Sequence, residues 1–233
     1  MSLKPFAWSY SALNDFETCP HGYAQKKVYK NFPDKMSAEG LRGVEIHDAL
    51  EKRLANKQPL PADMPYEKWA RVIEKSLRFD TDLVKCELEI ALDRQFKQVS
   101  WFSKEAWCRG KVDVLVIKEG GATGYVYDWK TGKVKDDQTQ LKLFAAFLNR
   151  IYPDMQRFVT KFIWLKHDKV TPSKIEGDLI MREWIPDIWK EIMPRVIRME
   201  EAYNAEVFPM KPNGLCGKYC PVISCPHNGR HGK

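Results

Sequence analysis

Between Gly110 and Gln140 two apolar runs flank the turn Glu119-Gly120-Gly121-Ala122, and each run carries an aspartate where a core strand has no use for one. Lys111-Val112-Asp113-Val114-Leu115-Val116-Ile117 leads in, and Tyr125-Val126-Tyr127-Asp128-Trp129-Lys130 leads out. Runs of valine, isoleucine and tyrosine bounded by glycines predict strands, and Gly-Gly is a favoured hairpin turn. A two-residue turn at Gly120-Gly121 sets Asp113 opposite Asp128, whereas a turn shifted by one pair sets it opposite Lys130. Either register puts Asp113, Asp128 and Lys130 on one face, because strand side chains alternate. Opposed side chains lie about 5 Å apart and diagonal ones about 7–8 Å. Carboxylates that close repel, and both stay ionised only beside a neutralising cation. A hard divalent ion such as Mg²⁺, which takes carboxylate oxygens, fits that gap and leaves Lys130 beside it. Asp113 taken alone reads equally as an acid on an exposed strand edge. Set among valine, leucine and isoleucine, however, an unpaired carboxylate costs several kcal/mol, so the trio favours a metal-dependent site over a structural ion pair.

The rest of the composition bounds what such a site serves. The chain has 233 residues, enough for one large domain or a domain with a small appendage, and 44% hydrophobic with 30% charged residues marks a globular protein. A net charge of +7 and a pI near 9.0 suit a polyanionic partner. No stretch approaches the roughly 18 apolar residues of a membrane span, and the N-terminus lacks a signal peptide's apolar region. The expectation is a cytoplasmic protein without a membrane partner, in which cysteines are thiols or metal ligands rather than disulfides. Six cysteines are present, and Cys216, Cys220 and Cys225 fall in the last eighteen residues.

Along the chain, Ser9 or Ser11 caps a first helix, Cys19-Pro20 interrupts it, and Tyr23 to Tyr29 resumes it. A second helix is predicted from about Ser37 to Asn56, with Leu41, Val44, His47, Leu50 and Leu54 at helical spacing. Gly43 inside it costs about 1 kcal/mol relative to alanine and suggests that something packs closely there. Gln58 to Pro65 reads as a loop, and Trp69, Ile73 and Leu77 mark a short amphipathic helix. Leu83 to Val99 reads as strand, followed by the hairpin and a helix from Asp137 to Ile151. Arg157 to Leu165 and Lys174 to Arg182 read as strands, and a last helix runs from Pro186 to about Ala205, bent at Pro194. The fold class is therefore α/β, a central mixed β-sheet flanked by helices with a Cys-rich C-terminal tail. The expected organisation is a single domain over 1–233: an N-terminal helical part at 1–80, a sheet core at 81–182, and a C-terminal helix and tail at 183–233.

Asp113 followed by Asp128-x-Lys130 resembles the signature of the PD-(D/E)xK nucleases in their RecB-like exonuclease branch, similar to the CRISPR-associated and phage-encoded iron–sulfur exonucleases. Further matches follow in order: Cys19-Pro20-His21-Gly22-Tyr23, Gly43-x-x-x-His47, Asp128-Trp129-Lys130-Thr131-Gly132, and Gln140-Leu141-Lys142-Leu143-Phe144-Ala145, with Phe144 in place of the usual tyrosine. The resemblance implies a restriction-endonuclease-like core in which Asp113, Asp128, His47 and the backbone carbonyl of Trp129 bind Mg²⁺ or Mn²⁺. It implies that Lys130 orients or deprotonates the attacking water and that Gln140 positions the scissile strand. It also implies a glutamate on the preceding strand; Glu87 and Glu89 share a parity, and Glu89 is the preferred candidate. The implied reaction is DNA hydrolysis from strand ends, in recombination, repair or phage DNA processing. A nucleic-acid-binding protein with a structural Cys metal site is one alternative, and a sequence-specific restriction-type endonuclease is the other. An oligomeric ring or clamp would make digestion processive.

In the same branch a cysteine near the N-terminal Cys-Pro joins three C-terminal cysteines around a [4Fe–4S] cluster, which implies that role for Cys19, Cys216, Cys220 and Cys225. The first tail spacing is three residues where the family has two, and four thiolates also suit Zn²⁺. His227 and His231 are alternative fourth ligands. Cys86 and Cys108 read as buried thiols. Lys26, Lys27, Lys133 and Lys135 are candidate phosphate contacts, and Trp101-Phe102 a candidate stacking platform.

Overall fold

The computed structural model describes residues 5–32, 36–78, 81–135, 137–172 and 178–231. Packing divides the chain into two units, Ser37–Trp189, and Met1–Met36 together with Lys190–Lys233. In this grouping the first helices go with the tail rather than with the sheet.

The Ser37–Trp189 unit is built on one mixed sheet. Its strands are β1 (Leu83–Leu92), β2 (Gln98–Val99), β3 (Cys108–Lys118), β4 (Thr123–Lys130), β5 (Arg157–Trp164), β6 (Lys169–Thr171) and β7 (Leu179–Met181). Their order is β2-β1-β3-β4-β5-β6, with β7 also on β5. The stretch expected as one strand from Leu83 to Val99 is broken at Asp93, whose carboxylate accepts the N–H groups of Gln95 and Lys97 at 2.8 and 2.9 Å. A side chain that satisfies backbone donors in this way turns the chain back on itself. β3 lies between β1 and β4, and Val112 to Ile117 are all buried, the near-continuous apolar run that a central strand requires. β4 and β5 pair in parallel, and the helix between them, Thr139–Ile151, makes the crossover such a pair requires. The predicted strand from Lys174 to Arg182 falls in part outside the described residues; its described end is β7.

Helix Ala38–Asn56 begins at Ser37, whose hydroxyl accepts the Gly40 N–H at 3.1 Å. Its buried side is Ile46, Leu50 and Leu54, packed with Ala70 and Ile73 of helix Glu67–Lys75 against Val114, Val116 and Trp129. Leu41 and Val44, expected on that side, are exposed. Arg53 ties the two helices together through Glu67 and Glu74, and holds the Glu74 carboxyl down to about 2.

In the other unit, helices Tyr10–Thr18 and Pro20–Tyr23 meet at Cys19, whose extended backbone ends the first while Pro20 starts the second. Helix Ile185–Asn204 carries Pro194 inside it, and its first residues, to Trp189, belong to the sheet unit. The tail beyond it has no regular element. It is tied back by the His21 N–H to the Pro209 carbonyl at 3.1 Å, Lys211 to the Glu17 carbonyl at 2.6 Å, and Asn213 to the Thr18 carbonyl at 3.1 Å. No helix among the described residues is long and apolar enough to cross a membrane.

Candidate active site

The ladder between β3 and β4 ends at Val114–Tyr127, and one step further Asp113 falls opposite Asp128. This is the first of the two registers open from the sequence. The turn that sets it spans Glu119 to Ala122, closed by the Ala122 N–H on the Glu119 carbonyl at 3.2 Å. Glu119, Gly120 and Gly121 all take positive φ there, which the two glycines adopt without penalty. Where the strands part, Asp113 Oδ2 accepts the Trp129 N–H at 2.7 Å, so a carboxylate takes the place of the next rung. The two aspartates thus stand side by side at the point where the sheet opens.

His47 reaches this point from helix Ala38–Asn56. Its Nδ1 lies 3.5 Å from Asp113 Oδ2. Gly43, one turn earlier, explains the approach: a Cβ there would lie 3.0 Å from Thr131 Oγ1, just beyond Lys130. Burial works against a charge on His47, but the hydrogen bond to Asp113 and the nearby Asp113, Asp128 and Glu87 carboxylates outweigh it and raise its pKa.

Glu87 completes a group of three. One ligand atom from each of His47, Glu87 and Asp113 lies within 4.8 Å of the other two. Glu87 has φ +51 in the middle of β1, a left-handed conformation that costs energy for a residue with a Cβ, and the bridge to Asp113 is missing between Cys86–Val114 and Leu88–Val112. Strain of this kind inside a strand is common where a side chain is aimed for function. Glu89, the acid preferred from the sequence, is exposed and paired in register with Lys111, outside the group. The two glutamates share a parity, and only the β1–β3 register separates them. That register passes through the turn at Asp93 and the short β2, whose lengths no periodicity in the sequence reveals. Burial raises the Glu87 pKa, opposed by Lys111.

Asp128 is buried and faces the other half of the site. Lys130 forms an ion pair with it, and Gln140, in the first turn of helix Thr139–Ile151, bridges the two. Gln140 Nε2 donates to Asp128 Oδ1 at 3.2 Å and its Oε1 accepts from Lys130 Nζ at 2.9 Å. Asp128 Oδ2 is fully buried and lacks an aligned hydrogen bond, although Lys130 stands against it. Burial first, and then the Asp113 charge, push the Asp128 pKa up to about 7 in spite of Lys130 and His47. One imidazole and three carboxylates make a donor set suited to a divalent cation. The Trp129 ring is buried in the core, and its peptide N–H is spent on Asp113.

The four cysteines of the second constellation lie in the other unit, and all are free thiols. Cys19 Sγ accepts the Gly22 N–H at 3.4 Å and Cys216 Sγ accepts the Asn213 N–H at 3.4 Å. Cys225 Sγ lies 4.0 Å from Met210 Sδ. Among the described residues, no three of these sulfurs lie within 4.8 Å of one another. His231 Nδ1 is 3.1 Å from the Ile223 carbonyl. Cys108 is buried and Cys86 half-buried, and burial pushes their thiols up to about 12 and about 11. Lys133 and Lys135 are exposed after β4, while Lys26 and Lys27 belong to the cysteine unit, where Lys26 pairs with Asp15 at 3.5 Å. Arg109 braces the loop before β3 through the Trp101 and Ser103 carbonyls and leaves Phe102 88% exposed.

Residues 7–226 match the family model of the PD-(D/E)XK nuclease superfamily, a span that runs through both units. The fold is similar to the crystal structure of a candidate exonuclease from Eubacterium rectale, with a TM-score of 0.53 and 13% identity over 93% of this chain and 87% of that one. It is also similar to the crystal structure of SSO0001, with a TM-score of 0.46 and 15% identity over 95% and 86% of the two chains. Among curated proteins none matches the chain.

Proposed function

The chain belongs to the PD-(D/E)XK nuclease superfamily, and on that footing we propose that it is a Mg²⁺- or Mn²⁺-dependent DNA exonuclease. The observation that carries the reading is the convergence of His47, Glu87 and Asp113 within 4.8 Å beside the buried Asp128–Lys130–Gln140 set. Nucleases of this superfamily use divalent metals, and His47, Glu87, Asp113 and Asp128, with the Trp129 carbonyl, would hold the ion here. When bound, the ion supplies positive charge for the phosphorane and lowers the pKa of a water molecule. Lys130 places an ammonium against the acid cluster, where it orients that water and balances charge as the phosphodiester is attacked. Gln140 holds Lys130 and Asp128 in their relative positions and lies where the scissile strand must pass. Lys133 and Lys135 contact phosphates beyond it. Action from strand ends follows the resemblance to the RecB-like branch, and the neighbour of the same fold is itself described as a candidate exonuclease.

In the cysteine unit, Cys19, Cys216, Cys220 and Cys225 hold a [4Fe–4S] cluster that joins the tail to the first helices, with Zn²⁺ as the second reading. Both units act as one nuclease domain, as the family match through both supports. Six unpaired thiols suit the cytoplasm.

End-labelled single- and double-stranded DNA, digested with Mg²⁺, with Mn²⁺ and with EDTA, tests the activity. Progressive loss of labelled ends that stops with EDTA and in Lys130→Met is expected. Discrete bands from closed circular DNA would instead make it an endonuclease, and metal-independent binding without cleavage would make it a nucleic-acid-binding protein. Anaerobically purified protein should be brown and contain iron; colourless protein with stoichiometric zinc would reject the cluster.

A further inference from the structure

Lys111 stands two residues before Asp113 on β3, and its ammonium pairs with the Glu87 carboxylate. The pair sits at the rim of the site, with the Lys111 side chain 46% exposed and that of Glu87 only 15%. In register Lys111 faces Glu89 across β1, and the β3–β4 register continued two residues beyond Asp113–Asp128 brings it level with Lys130. Two lysines therefore flank the acids, one turned to Asp128 and one to Glu87.

Charge balance distinguishes them. Glu87, Asp113 and Asp128 bring three carboxylates, and Lys111 and Lys130 bring two ammoniums. Lys130 is held by Gln140 as well as by Asp128. Lys111 is instead held by the one carboxylate that also belongs to the His47–Glu87–Asp113 group. A divalent ion bound by that group would carry twice the charge of Lys111 to the same oxygens, and the two cations would repel. A lysine on a flexible four-carbon stem can yield at small cost. With the ion present, the acids no longer need its charge, and the balance at the site turns positive. An exposed ammonium at the rim is then complementary to a phosphate of a bound strand.

We propose that Lys111 is a latch on Glu87 that gives way to the divalent metal and then contacts a phosphate of the nucleic acid, as a positioning residue. This rests on the metal-dependent reading above. The test is calorimetric titration of Mn²⁺ into wild-type protein, Lys111→Met and Asp113→Asn, with kcat and KM measured on an end-labelled oligonucleotide at saturating Mn²⁺. Without DNA, Lys111→Met should bind Mn²⁺ about three- to ten-fold more tightly, the order expected for removing one competing ion pair and its repulsion. Its KM should rise several-fold more than its kcat falls, and Lys111→Arg should keep KM near wild type. If wild type takes up Mn²⁺, Asp113→Asn does not, and Lys111→Met binds it no more tightly, the latch is overturned while the metal reading stands. Tighter Mn²⁺ binding with unchanged KM overturns the phosphate contact. A wild-type protein that binds no Mn²⁺ overturns the metal reading and the latch together.

Discussion

In the sheet unit each acid of the candidate site is fixed by regular structure, whereas in the other unit the cysteines hang on turns. Asp113 is anchored by the Trp129 peptide, Asp128 by Gln140, and His47 by a helix that Gly43 lets approach Thr131. Cys216, Cys220 and Cys225 lie in a tail without periodicity, held to the helices around Cys19 by a few backbone and side-chain hydrogen bonds. On the proposed reading, the difference separates a site that exists before its ligand from one whose ligand would supply part of the folding energy, since metal binding by an irregular tail is itself a folding term.

Exchanging the damage between the two units gives the largest effects. Asp113→Asn keeps an oxygen for the Trp129 N–H, so melting should shift little while cleavage falls by roughly 10²–10³-fold or more. Cys216→Ser should do the reverse, losing the iron absorbance and lowering the melting temperature by about 5–10 °C, as expected for two to three kcal/mol in a chain of this size. Activity per folded molecule, measured well below the melting transition, should fall far less than in Asp113→Asn. Equal losses of activity in the two variants would break the comparison, because the cysteines would then belong to the chemistry.

A smaller effect probes how the helix is seated. In Gly43→Ala the new methyl lies 3.0 Å from Thr131 Oγ1, and the helix or Thr131 must give by a few tenths of an ångström. Alanine favours the helix by about 1 kcal/mol, so stability should be nearly unchanged. Cleavage should fall about tenfold because His47 moves with the helix. Adding Thr131→Ala removes the oxygen and should restore most of the activity; failure of that rescue would detach Gly43 from the positioning of His47.

The same contrast explains what could be read from the sequence. The shared face of Asp113, Asp128 and Lys130 and the close approach at Gly43 follow from local rules, alternation and the absence of a Cβ, whereas the hairpin register stood open between two turns until the structure decided it. The mixed sheet and its flanking helices were legible for the same reason. Glu87 was not, because its place depends on the pairing of β1 with β3 across an irregular connection and on a left-handed backbone that no propensity favours for glutamate. Leu41 and Val44 kept the helical spacing yet stayed exposed, since periodicity names a stripe and packing decides which turns of it are covered. The grouping of the first helices with the tail is a long-range event that only cysteine counting hinted at.

Titration of Asp128 should produce a shift of a few degrees. Its folded pKa is raised from the model-compound range to about 7, first by burial and then by Asp113. The native state therefore holds the proton more tightly than the unfolded chain, and between about pH 4 and 7 the metal-free protein loses stability as pH rises. Asp128→Asn abolishes that loss, so its metal-free melting temperature should exceed that of wild type at pH 8 and converge with it near pH 4. Divalent metal at pH 8 should raise the wild-type value and leave the variant's nearly unmoved. A stability difference independent of pH would show that the carboxylate is not held in the neutral form by its surroundings.

The finest contrast is the one that separates the two glutamates. Glu87→Gln removes a charged oxygen from the group with His47 and Asp113, and Mn²⁺ affinity should drop by at least tenfold. Glu89→Gln removes an exposed carboxylate opposite Lys111, and affinity should stay within about twofold, the scale of an exposed ion pair. Because the side chains differ by two positions on one strand, the pair of variants holds composition and charge constant and varies only backbone conformation. Equal losses would mean that β1 slides or relaxes to offer either acid, and the left-handed turn at Glu87 would then have no part in selecting the ligand.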